Sequence, residues 1–152
     1  MPIPRVISAL VLAVGLVGCT SSTIPAPPAG LNHAVAMPAC GPADGPAVDI
    51  YLTPTPLETA EPTPPFVRIY IWQPLARLTE RAWLVGGDEP SGAASHHSSP
   101  NDLTVATSGI VRVNRVAADN TIEGSADLRF PDGRRVRGGF RAAWRMRTML
   151  CG

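Results

Sequence analysis

The 152-residue sequence contains no GxSxG elbow, phosphate-binding loop, dinucleotide fingerprint, HExxH or EF-hand loop. The hydrolase, nucleotide, zinc-protease and calcium chemistries that such motifs announce are therefore not indicated. No CxxC pair or neighbouring histidine accompanies any of the three cysteines, which argues against a metal centre. Internal repeats and heptads are absent, so solenoids and coiled coils are excluded. The carboxylates are scattered rather than paired. Lysine is missing altogether, and all 13 basic residues are arginine; nothing in the physics of folding accounts for that bias. With 17 prolines and 14 glycines, long helices have little room. One domain fits the length better than two.

What is present is concentrated at the end of the chain. Residues 134–147 alternate strictly, with Val136, Phe140, Ala142, Trp144 and Met146 on one parity. Arg135, Arg137, Arg141, Arg145 and Arg147 occupy the other. A period of two places successive side chains on opposite faces, so this is a strand with an apolar face and an arginine face. Residues 121–130 repeat the pattern with Ile122, Ala126, Leu128 and Phe130 against Glu123, Asp127 and Arg129. Between them, Pro131-Asp132-Gly133 is a turn in which proline presets φ and glycine takes a left-handed position. A three-residue loop of this kind predicts a hairpin pairing Leu128 with Val136, Gly124 with Phe140, Ile122 with Ala142, Asp127 with Arg137 and Glu123 with Arg141. Opposite charges across a sheet contribute about 0.2–1 kcal/mol each, so turn and charges select one register.

The other strong signal is at the start. Arg5 precedes an apolar run over residues 6–16, which is too short for a membrane span of about 20 residues and reads as a secretion signal. It leads into Leu16-Val17-Gly18-Cys19, which resembles the lipobox of bacterial lipoproteins. The resemblance implies removal of residues 1–18 and a lipidated Cys19 as the mature first residue. Two or three acyl chains give stable anchoring where one is marginal. It further implies a cell-membrane or outer-membrane location, and Thr20, rather than an aspartate after the cysteine, leans towards the outer membrane. Cys40 and Cys151 remain, and two cysteines in an exported domain are expected to pair as one disulfide. Residues 19–46 read as a Ser/Thr/Pro/Ala-rich tether; twenty such residues in extended form reach about 60 Å.

Within residues 47–152 the spacing predicts an all-β domain, a small antiparallel sandwich or barrel of about six strands ending in the long C-terminal β-hairpin. Residues 47–53 alternate, and residues 66–72 carry Val67, Ile69 and Ile71 on one face with Phe66, Tyr70 and Trp72 on the other. A covered core is expected there; an exposed aromatic patch would be a partner contact. Residues 86–102 read as a loop carrying His96 and His97. Residues 103–116 alternate again, with Gly109 marking a bulge or bend.

Residues 103–152 hold nine arginines against four acids, and residues 19–102 hold three against eight. Either the acidic half lies against the arginine ladder, or Arg135, Arg137, Arg141, Arg145 and Arg147 form an anion- or partner-facing surface. An exported, near-neutral chain is not expected to bind nucleic acid. The expected role is a non-enzymatic envelope module without cofactor, meeting the membrane through Cys19 and an envelope protein or anionic polysaccharide through its domain. The alternatives are an inhibitor or binder of an envelope enzyme using the arginine face, and a hydrolase using the His96/His97 loop.

Overall fold

The closing hairpin forms in the register its turn and charges dictate. β8 (Ile122–Arg129) and β9 (Arg135–Trp144) pair Leu128 with Val136, Gly124 with Phe140, Ile122 with Ala142, Asp127 with Arg137 and Glu123 with Arg141. Gly133 sits at φ 83°. The turn closes through Gly133 N–H to Phe130 O at 3.1 Å and Phe130 N–H to Arg134 O at 2.9 Å.

The computed structural model describes residues 24–58, 62–78 and 81–151. The signal segment and Cys19 lie outside them. Ahead of the hairpin come β1 (His33–Cys40), β2 (Pro46–Thr53), β3 (Phe66–Ile71), β4 (Arg81–Gly86), β5 (Gly92–Ser99), β6 (Asp102–Val105) and β7 (Ser108–Val116). Eight strands close a barrel in the order β3-β2-β1-β9-β8-β7-β4-β5, with β5 returning to β3, and β6 adds to β5 as a ninth strand. The domain is thus a barrel rather than a sandwich, and the expectation of about six strands falls short. Most pairs are antiparallel, but β1–β9 and β4–β5 are parallel.

Eight strands enclose an interior about wide enough for side chains to fill. Here it is filled by Ile50, Leu52, Val67, Ile69, Ile71, Trp83, Val111, Val113, Leu128 and Phe140, all buried. Each large apolar side chain so placed contributes about 1.5–3 kcal/mol relative to exposure. Gly109 makes neither bulge nor bend: a Cβ there would lie 2.7 Å from Asp127 O and 2.8 Å from a Leu128 methyl, so glycine permits close approach to β8. The irregularity in β7 falls between Val113 and Arg115 instead.

Two other expectations are corrected. β1 lies inside the stretch read as tether. Its sequence HAVAMPAC is small and apolar on both faces, because Ala36 faces the interior while Val35 and Met37 are buried outside it with Tyr51 and Phe66. A strand covered on both sides shows no polar alternation. β5 lies inside the stretch read as a loop. Its GAASHHSS composition is turn-like, yet it pairs with β3 from Phe66–His97 to Ile71–Gly92 and so seals the barrel.

After Trp144 the chain stays beside β1. Arg145 N–H donates to Ala36 O at 2.8 Å, and Cys151 joins Cys40 in the expected disulfide.

Candidate binding surface

On the outer face of β7, β8 and β9 the paired register brings side chains into rows. Arg129 lies between Ser108 and Arg135, Asp127 between Ile110 and Arg137, Ser125 between Arg112 and Gly139, and Glu123 between Arg115 and Arg141. Arg145 follows just beyond β9. This face therefore carries seven arginines against two carboxylates, a surplus of five positive charges. The extra cations, Arg112, Arg115 and Arg129, come from β7 and β8. Arg129 already shared the outer parity of Glu123 and Asp127 in the sequence; Arg112 and Arg115 could not be assigned to this face until β7 was known to pair with β8.

The carboxylates neutralise the face only locally. Asp127 accepts two hydrogen bonds from Arg135, from Nε at 2.7 Å and from an Nη at 2.6 Å, while Arg137 Nε stands 3.8 Å away. The hydrogen-bonded fork from Arg135 outweighs the opposing effect of burial and, with the charges of Arg135 and Arg137, holds the Asp127 carboxyl below its usual range. Glu123 meets Arg141 at 3.6 Å. Arg112, Arg115, Arg129 and Arg145 have no acidic partner among the described residues. No ion pair among those residues joins this face to an acid from the N-terminal half. The nearest such acid in kind, Asp49, is engaged elsewhere.

Arg147 leaves the ladder. It is half-buried, and its guanidinium donates to Met149 Sδ at 3.1 Å. Strict alternation continued past Trp144 in the sequence, but the strand ends there.

A groove of about 590 Å³ runs over this face, bounded by Pro25, Ala26, Ile110, Arg112, Asp127 and Arg137. One wall is the segment 24–28, which the sequence reading placed in the tether. Gly139 N–H donates to Ala26 O at 2.7 Å, and Pro28 is buried. A Cβ on Gly139 would lie 2.6 Å from Ile24 Cγ2 on the outer side, and one on Gly138 would lie 2.7 Å from Ala26 O. Two adjacent glycines thus let this segment close over β9, and any side chain there would displace it.

His96 and His97 do not form a joint site. Successive strand residues face apart: His96 contacts Arg134 and stands edge-on to Phe130, with ring centroids 6.2 Å apart. His97 stacks on Phe66 at 4.3 Å and meets Ser95 Oγ at 3.0 Å. Burial first, then Arg134 for His96 and Arg68 for His97, lowers both imidazole pKa values. Asp102 turns to Ser98. No cluster of His, Cys, Asp or Glu able to hold a metal occurs among the described residues.

A second polar assembly escaped sequence reasoning. Asp49, 1% exposed, accepts from Arg68 Nε at 2.7 Å, from an Arg68 Nη at 2.9 Å and from the Tyr51 hydroxyl at 3.1 Å. Burial and the neighbouring Asp49 charge push the Tyr51 phenol up to about 12. The period-two pattern of β2 marked Asp49 and Tyr51 only as outward residues; Tyr51 is buried outside the barrel in a small cluster with Val35, Met37, Phe66 and Leu57. Beside this assembly, Arg68, Tyr70, Ser95, His97, Leu103 and Val105 line a cavity of about 200 Å³. The aromatic face of β3 is thus partly covered: Phe66 is buried, and Tyr70 and Trp72 are half-buried.

No helix among the described residues is long and apolar enough to cross a membrane. Comparison with protein-family models, curated proteins and solved structures returns no match.

Proposed function

We propose that the protein is a lipid-anchored module of a bacterial cell envelope, held by Cys19, that binds an anionic partner through its arginine face and performs no catalysis. The lipobox resemblance supports the anchor. The observation that carries the binding role is the seven-to-two excess of arginine over carboxylate on the β7–β9 face, presented by a three-stranded sheet whose inner side is packed core. Charged side chains on so firm a support lose little order when they meet an anion, and Arg suits planar or tetrahedral oxyanions. The anionic partner is a lipid surface, an envelope polysaccharide or an acidic envelope protein, such as an enzyme held in check. Crosslinking in intact cells followed by purification in detergent tests this reading. Recovery of an acidic partner that is lost in an Arg112→Ser/Arg137→Ser variant of unchanged stability supports it; identical recovery with that variant sinks the arginine face. Cys19→Ala should abolish lipid labelling and membrane retention, and retained labelling sinks the anchor.

A second reading rests on Ser95 and His97, whose 3.0 Å contact lies within nucleophile–base distance beside the 200 Å³ cavity. In this reading the protein is a hydrolase with Ser95 as nucleophile. Labelling of Ser95 by a fluorophosphonate, lost in His97→Ala, favours it; an unlabelled Ser95 in folded protein excludes it.

A further inference from the structure

We infer that the arginine face lies directly against an anionic lipid surface, because the segment that joins the anchor to the domain is fastened to that face. The inference deepens the anchoring and arginine-face readings above and rests on both.

The seat of residues 24–28 fixes where the leash begins. Ile24 lies on the outer side of Gly139, and Ala26 accepts the Gly139 N–H at 2.7 Å. Gly139 shares its parity with Arg137 and Arg141 and stands between them. Four residues separate lipidated Cys19 from Ile24, and the five steps between them, fully extended, span at most about 18 Å. A twenty-residue tether would hold the domain clear of the lipid; this one keeps Ile24, seated beside Gly139, within about 18 Å of the acylated cysteine. Whatever part of the domain lies nearest the anchor must present the surface around Gly139.

That surface is suited to anionic headgroups. Arg112 and Arg137 flank the groove wall formed by Pro25 and Ala26, and Arg112 has no acidic partner among the described residues. Ile110, 38% exposed, lies in the same groove, two residues from Arg112 on β7 and across Asp127 from Arg137, and can enter the headgroup layer. Basic side chains beside a covalent lipid chain are the second signal that turns marginal anchoring into firm attachment. Here the acyl chains hold without help, so the arginines set orientation rather than retention. Polysaccharide would meet the same guanidinium chemistry, but only a lipid surface is placed there by the length of the leash.

The test uses the full mature protein purified from cells in detergent and reconstituted into vesicles of phosphatidylcholine alone or of phosphatidylcholine and phosphatidylglycerol at about 70:30. Arginine modification by phenylglyoxal is read by mass spectrometry, and the mass of the N-terminal peptide reports lipidation of Cys19. Arg112 and Arg137 should react roughly threefold more slowly or less in the anionic vesicles, with Arg77 and Arg81 unchanged, and the protection should fade at high salt. Gly139→Val, which unseats residues 24–28, should weaken protection without releasing the protein from the vesicles. Equal reactivity in the two vesicles overturns the inference while leaving the anchor intact. An unmodified Cys19 overturns the anchor and the orientation with it. Protection by a soluble anionic polysaccharide but not by the vesicles overturns the choice of lipid and returns the face to the broader reading.

Discussion

Asp127 lies opposite Arg137 in the strand register, yet it gives both its oxygens to Arg135, the residue two pairs nearer the turn. The diagonal fork leaves Arg137 at 3.8 Å, only loosely bound to a carboxylate that is already occupied. The fork therefore moves the freer charge from Arg135 to Arg137 and leaves the surplus on the face unchanged. Both partners of the fork are partly exposed, at 44% and 37%. We predict that Asp127→Asn changes stability by less than about 1 kcal/mol in urea titration. It should also strengthen association with anionic vesicles and steepen its salt dependence. Weaker association would mean that Arg135 must be held by Asp127 to serve the surface.

The Asp49–Arg68 pair should respond asymmetrically. Asp49 is 1% exposed, whereas the Arg68 side chain is 37% exposed and can turn towards water when its partner is lost. Arg68→Met strands a buried carboxylate with only the Tyr51 hydroxyl and is expected to cost about 3 kcal/mol or more. Asp49→Asn keeps a hydrogen-bonding side chain and should cost clearly less. A larger loss for Asp49→Asn in paired denaturation curves would show that Arg68, not Asp49, is the trapped charge.

Tyr51 offers an alkaline counterpart. Its folded pKa of about 12 lies above the unfolded value near 10. The associated stability is complete below pH 10 and is lost as pH rises through 12. A phenolate absorbance step for one tyrosine at about pH 12, absent in Tyr51→Phe, is the expected result. Ionisation of every tyrosine near pH 10 in folded protein would contradict it.

How much of this was legible in the chain follows from what each strand is packed against. β8 and β9 have one face in the core and one in water, so polarity alternates and a Pro-Asp-Gly turn fixes the register. β1 is covered on both sides and built from Ala, Val, Met and Pro, so it carries no polar alternation. β5 is Gly, Ala, Ser and His, a composition that means turn in isolation; its pairing with β3 decides otherwise. The candidate face was legible in the same measure. Arg129, Arg135, Arg137 and Arg141 stood out on the hairpin, whereas Arg112 and Arg115 joined them only through pairings that span the β7–β8 connection. Gly138 and Gly139 kept their places in the alternation, with no side chain to mark a role. They are the floor on which residues 24–28 sit.

The histidines predict an acid-side dependence. Both pKa values are lowered in the folded protein, chiefly by burial. Their contribution is fully present above the unfolded value of about 6.5 and is lost as pH falls below it towards the folded values. His97→Gln should flatten part of the decline in stability between about pH 7 and pH 5. An unchanged profile would place the dependence on His96 or on carboxylates instead.

The disulfide between Cys40 and Cys151 encloses 111 residues of sequence separation. In the chain-entropy treatment so large a loop is worth about 4–5 kcal/mol, and Cys40→Ser/Cys151→Ser should lower stability by up to that amount in denaturation under oxidising conditions. A second consequence concerns durability rather than equilibrium. Because the bridge ties the end of β1 to the tail, the polypeptide from β2 to the tail is a covalent ring closed at Cys40. A single protease cut anywhere in that ring sheds nothing: both new ends stay joined through sulfur to β1. The domain can be nicked in an exposed loop and still remain one covalent piece, until a reductant opens the clasp.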